Sequence, residues 1–164
     1  MDTIYQLTRR MITYEKGCPR RIQHFIKVHS FAKNIGIGEK LDEKTLYTLE
    51  IAAIVHDIGI LPAEEKYGSC EGKLQEKEGP APAREMLSSL AIEPDIIDRV
   101  CYLVAHHHTY ENVDGIDYRI LLEADALVNL YEDNSPQSAI DAMLQNVFRT
   151  ETGTQICKEM FLKS

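Results

Sequence analysis

A chain of 164 residues, 44% hydrophobic and 27% charged, has an ordinary globular composition and enough length to bury a core. Its net charge of −8, with basic residues scattered apart from the pairs Arg9-Arg10 and Arg20-Arg21, argues against a surface that tracks polymeric nucleic acid. The apolar run from Ile51 to His56 is too short to cross a bilayer, and Met1-Asp2-Thr3-Ile4-Tyr5 lacks the basic start of a signal peptide. A cytoplasmic protein without membrane contact is expected.

Helical periodicity recurs along the chain and sustained two-residue alternation does not, so the fold class is all-α. Helices are expected at 3–15, 20–36, 43–57, 80–90, 94–108, 117–132, 136–149 and 152–162. In the second, His24 and His29 both fall within the apolar arc of Phe25, Val28, Phe31, Ala32 and Ile35, and periodicity does not choose between them. Asp42 is placed to cap the third. That helix carries Leu46, Leu49, Ile51, Ala52, Ala53, Ile54 and Val55 nearly all round, which predicts a central buried element. It ends on His56-Asp57, with Gly59 and Pro62 beyond. From Ile60 to Gly79 the pattern breaks, with Lys66-Tyr67-Gly68-Ser69 and Gly72-Lys73, and a long irregular loop is expected there.

Pro94 and Asp95 open the fifth helix. Its stripe of Ile97, Val100 and Val104 is continued at helical spacing by His107 and His108, while His106 follows the face of Arg99 and Tyr102 and is expected to be exposed. In the sixth, Asp125 sits among Leu121, Leu122 and Val128, and Glu123, one step round, is expected to be solvated. The last two helices carry Val147, Phe148, Ile156, Met160 and Phe161, which suit either a cap over the core or a homodimer face. Cys18, Cys70, Cys101 and Cys157 form no C-x-x-C pair, so reduced thiols are expected.

An ionised carboxylate at the end of a buried helix costs several kcal/mol, on the order of that for other buried ions, unless it is paired or bound to metal. The C-terminal end of a helix also favours a cation. A lone His-Asp pair is more often a capping aspartate beside a core histidine. Histidines and aspartates pointing inward from four helices together are poorly explained by packing alone.

The set resembles the HD-domain superfamily of metal-dependent phosphohydrolases, whose signature is a histidine, a His-Asp doublet and a distant aspartate. Here these are His24, His56-Asp57 and Asp125. His56-Asp57-Ile58-Gly59 matches the usual setting of the doublet, and Ala124-Asp125-Ala126 resembles the final motif. His24 is preferred to His29 because Val28 and Ala32 follow it at family spacing. The resemblance covers roughly 20–131 and implies a single HD domain over 1–164, a helical bundle of about seven to eight helices with the C-terminal helices 136–162 packed on its core. His107-His108 resembles the paired histidines of two-metal members, which implies a second metal or a substrate contact. Glu78, ahead of Gly79-Pro80, stands where some relatives carry a histidine, and is read as a first-turn charge. The Asp114-Gly115 turn is similar to that of the cyclic-dinucleotide phosphodiesterases, but Ile60 and Arg119 depart from that branch.

What the resemblance implies is a metal-dependent phosphohydrolase acting on a small phosphate ester, preferably a nucleotide, through metal-activated water. His24, His56, Asp57 and Asp125 would hold the ion, with Asp57 also the catalytic carboxylate that bridges if two ions bind. Imidazole and carboxylate donors without thiolate suit one or two ions of Mn, Fe, Co, Ni or Zn. Lys66, Tyr67, Lys73 and Arg119 are candidates for substrate phosphate, as are Arg20 and Arg21, although a solvated charge is the commoner role for any one of them. Tyr110 and Asn112 are candidate pocket residues, and Asn129 a candidate partner of Asp125. The expected partner is a small phosphorylated molecule. Two other classes fit the same residues: a di-iron oxygenase of the HD fold, and a non-catalytic metal or nucleotide sensor.

Overall fold

In the computed structural model, which describes residues 2–162, α3 (Glu43–Val55) is the axis on which the other elements pack. Every residue from Thr48 to Val55 is buried, as an all-round apolar helix requires. Asp42 caps it, accepting from the Thr45 amide at 3.0 Å. Around it lie α1 (Thr3–Tyr14), α2 (Pro19–Gly38), α7 (Pro94–Val104) and α8 (Ile116–Glu132), with α6 (Pro80–Ser88) against α7. α9 (Gln137–Asn146) and α10 (Glu151–Phe161) follow. Within Glu43 to Tyr67 an 18-residue window is long and apolar enough to cross a membrane by composition, with mean hydropathy 1.4, yet 67% of it is buried inside the molecule.

The described residues thus form an all-helical bundle, with ten helices rather than seven or eight. The two additional ones occupy the stretch expected to be a loop: α4 (Ile60–Tyr67) and α5 (Gly72–Glu78). Helices this short lack the length to display a period and are too short to hold themselves in water, so tertiary contacts must maintain them. Pro62 is tolerated because it falls in the first turn of α4. Gly68, at φ +66°, ends that helix in the left-handed region. A Cβ at Gly59 would stand 2.4 Å from the Gln75 carbonyl oxygen and 2.8 Å from the Gly79 nitrogen. The glycine after the His-Asp doublet is therefore what lets α5 lie directly on the turn that carries Asp57.

Three further expectations are corrected. α7 stops at Val104 instead of running to 108, so His106, His107 and His108 stand in the turn beyond it. The Tyr118 hydroxyl lies against the His106 and Thr109 carbonyls and holds that turn. His106 is half-buried rather than exposed, stacked on Tyr102 with ring centroids 4.2 Å apart. Glu123 is not solvated but fully buried. Its carboxylate accepts from the Arg149 and Thr150 amides at 2.7 and 3.0 Å and from the Thr150 hydroxyl, which fixes the start of α10. Periodicity within α8 carries no trace of donors arriving from another helix. In the C-terminal segment Val147, Phe148 and Cys157 are buried against the core, Ile156 and Phe161 are partly buried on it, and Met160 is exposed.

Candidate metal centre

Three helices bring four side chains to one point. His24 comes from the first half of α2, and His56 caps the C-terminal end of α3 with Asp57 in the turn just beyond. Asp125 comes from the buried middle of α8. His24 Nε2 lies 3.3 Å from His56 Nε2, 3.1 Å from Asp125 Oδ1 and 3.3 Å from Asp57 Oδ2. His56 Nε2 lies 3.4 Å from Asp57 Oδ2 and 3.5 Å from Asp125 Oδ1. His29 is elsewhere, bonded to Glu50 at 2.9 Å, so packing makes the choice that periodicity left open.

The hydrogen bonds on the far sides of these rings fix what faces inward. His56 Nδ1 donates to the Ala53 carbonyl at 2.8 Å, and His24 Nδ1 donates to Glu132 Oε1 at 3.1 Å. Carbonyls and carboxylates only accept, so each neutral ring keeps its lone pair on Nε2, directed at the cluster. Two imidazole lone pairs and two carboxylates then face one another with no hydrogen between them. Such a set repels itself unless a proton or a cation lies within. With bonds of about 2.1 Å, adjacent donors on one ion are spaced by about 3.0–3.4 Å in octahedral or tetrahedral geometry. The 3.3–3.4 Å spacings among His24, His56 and Asp57 fit, and Asp125 adjoins that set at 3.1 Å from His24.

Electrostatics gives the same answer. Burial alone would lower the His56 imidazole, but the charge of Asp57 and the bond to Asp125 outweigh it and raise it to about 9. His24 is raised above its ordinary value against the pull of burial, chiefly by its bond to Asp125. Burial acts to raise Asp57 and Asp125. The charge on His56 holds the first, and the bonds from His24 and His56 hold the second, well below the usual carboxylate range. The cluster holds positive charge strongly, and protons occupy it where no ion does.

A second group shares Asp57. Its Oδ1 lies 3.3 Å from His107 Nε2, and Asp57, His107 and His108 form a further set able to hold an ion. His107 Nδ1 donates to the Val104 carbonyl at 2.7 Å, so its lone pair also points inward. Sequence reasoning missed two residues here, both on α5. Gln75 places Oε1 2.9 Å from His108 Nε2 and 3.3 Å from His107 Nε2. Glu76 accepts from the His108 amide at 3.0 Å and from the Thr109 hydroxyl at 2.7 Å, pinning the histidine turn. Burial pulls the Glu76 carboxyl up, and its bonds from Lys73, Thr109 and His108 hold it lower. Glu132 was missed as well, though it lies two turns after Asp125 on the same face of α8.

A cavity of about 400 Å³ opens over both groups, reached by His24, Asp57, Asp125, Gln75 and His108 and walled by Arg20, Arg21, Glu64, Asn129 and Glu132. Larger grooves, such as the one of about 770 Å³ beside Arg9 and Met86, lack convergent donors, so size does not mark the site. None of Lys66, Tyr67, Lys73 and Arg119 lines this cavity. Lys66 and Tyr67 bond Glu78 at 3.1 and 2.7 Å, Lys73 bonds Glu76 and Thr109, and Arg119 donates to the Val147 carbonyl at 3.0 Å. Glu78 closes α5 rather than opening a helix, and it does not reach the histidines. Tyr110 lines a neighbouring hollow that shares Asn129.

Known proteins agree with this architecture. A family model described as HD domain matches residues 21–145. The crystal structure of a predicted HD superfamily hydrolase from an uncultured Thermotogales bacterium is similar, with a TM-score of 0.65 and 24% identity over 95% of this chain and 82% of that one. No curated protein matches the chain.

Proposed function

The chain belongs to the HD-domain family, a family of metal-dependent hydrolases, and from that premise we propose that it cleaves a small phosphate ester, preferably a nucleotide. The observation that carries this reading is the convergence of His24, His56, Asp57 and Asp125, with every inward atom a lone pair or a carboxylate oxygen. His24, His56, Asp57 and Asp125 would hold the ion. A divalent cation there supplies an acidified water and neutralises charge on a phosphoryl oxygen.

The chain's own residues do the rest. Asp57 divides its oxygens, Oδ2 toward His24 and His56 and Oδ1 toward His107, and so joins the two groups. Glu132 and the Ala53 carbonyl orient the imidazoles from behind and make them better donors. The cavity wall carries Asp57, Glu64, Asp125 and Glu132 against Arg20 and Arg21, so an anion enters only when a cation offsets that excess. Arg21 is committed to Glu15 and Glu64 at 3.5 and 2.5 Å. Arg20, 75% exposed and no nearer than 3.5 Å to a carboxylate, is the side chain free to swing onto a phosphate. A cytosolic setting suits the four free cysteines.

The test is phosphate release from nucleoside monophosphates, dinucleoside polyphosphates, cyclic nucleotides and simple esters, with the protein loaded in turn with Mn, Fe, Co, Ni and Zn. Turnover that needs the ion and vanishes in Asp57→Ala supports the proposal. Tight ligand binding without turnover would make the protein a sensor. Oxygen consumption by the iron-loaded form would make it an oxygenase. Either result overturns the hydrolase reading.

A further inference from the structure

We propose that Gln75 supplies an oxygen donor to a second cation position, formed with Asp57 Oδ1, His107 and His108, that fills after the first position and more weakly. The inference rests on the metal-centre reading and goes beyond it, since the family signature contains no such glutamine.

The orientation of the amide is fixed. Gln75 Nε2 donates to the Cys70 carbonyl at 2.6 Å, which turns Oε1 toward the histidines, and the reversed amide would lose that bond. The backbone beneath it is equally constrained. Gly79 donates to the Gln75 carbonyl at 2.8 Å, and the same oxygen lies where a Gly59 side chain would begin. Gln75 is buried and lines the cavity beside Asp57 and His108.

Three acceptors meet here. His107 Nε2 carries a lone pair, and it stands 3.3 Å from both Asp57 Oδ1 and Gln75 Oε1. A hydrogen bond from His108 Nε2 to Gln75 Oε1 at 2.9 Å would satisfy that one contact and leave His107 Nε2 and Asp57 Oδ1 facing each other without a hydrogen. Their spacings again match adjacent donors around one ion with bonds of about 2.1 Å.

Charge sets the order of filling. The first position has two carboxylates, Asp57 and Asp125, and the second has only a share of Asp57. Affinity for a divalent cation rises with the number of charged ligands, so the neutral amide makes the second position the weaker one. One ion at the first position also repels the next across the shared carboxylate.

Titration of the ion-free protein with Mn²⁺, followed by calorimetry and electron paramagnetic resonance, tests this without reference to turnover. Wild type is expected to take two ions in separate steps, the second giving the coupled spectrum of a bridged pair. Gln75→Leu should weaken the second step by about 10–100-fold, and Gln75→Glu should tighten it, with the first step unchanged in both. An unchanged first step shows that each variant is folded. A single ion in wild type, or two unaltered steps in both variants, overturns the proposal and leaves the hydrolase reading standing. Failure of wild type to bind any ion overturns both.

Discussion

The two sides of Asp57 are built to different standards. Toward Oδ2, the donors come from α2, α3 and α8, long helices packed directly on one another in the core. Toward Oδ1, they come from a turn after α7 and from the seven-residue α5. The first side is held by hydrophobic burial, which acts over many residues. The second is held by a few polar bonds through Glu76 and Gln75 and by one close approach at Gly59. A single-residue change can therefore remove the second side while sparing the first, whereas damage to the shared aspartate removes both.

Asp57→Ala should have the largest effect. It takes a carboxylate oxygen from each group, so ion binding at both positions and all hydrolysis are expected to fall to background, read by metal content after gel filtration and by phosphate release. Next is Glu132→Gln, which weakens the acceptor behind His24 without entering the cluster. A loss of about 10–100-fold in affinity for the first ion is expected by calorimetry, since partners behind a ligating histidine have effects of that size. An unchanged affinity would mean that the His24–Glu132 bond merely packs the surface.

Gly59→Ala aims at the other side. Its Cβ would meet backbone atoms that cannot rotate away, so α5 must shift, at a cost of about 1–3 kcal/mol typical of overpacking. Thermal melting should show that loss, and Mn²⁺ titration should show a weakened second step beside an intact first one. The smallest effect is a count of protons. In the ion-free protein His56 keeps its proton up to about 9, so at pH 7 ion binding must displace it. Calorimetry in two buffers of different ionisation heat should register net proton release on the first step. Acidification should weaken that step further, because protons and ion compete for the same lone pairs.

The same contrast governs what could be read in the sequence. The eight longer helices were legible because each carries apolar positions at helical spacing over nine or more residues, and their ends fall close to the expected positions except at His106 to His108. α3 announced its burial through apolar residues on every face. The choice of His24 over His29 was not in the periodicity and came from resemblance to a family. α5 was illegible in principle: seven residues opening on glycine carry no period, and Gln75 looks like any surface glutamine until Gly59 allows its backbone to settle against the Asp57 turn. Glu132 was legible and overlooked, since Asp125, Asn129 and Glu132 follow one another at helical spacing on the face of α8 that lines the cavity. Glu123 failed for another reason. Its partners, Arg149 and Thr150, stand just ahead of α10, and no local pattern reports what a distant helix end will offer.

An anomalous difference map from crystals of the Mn²⁺-loaded protein tests the first cluster most directly. A peak is expected within bonding distance of His24 Nε2, His56 Nε2, Asp57 Oδ2 and Asp125 Oδ1. A fully loaded crystal with no peak there, or with its manganese bound only elsewhere, would overturn the metal centre.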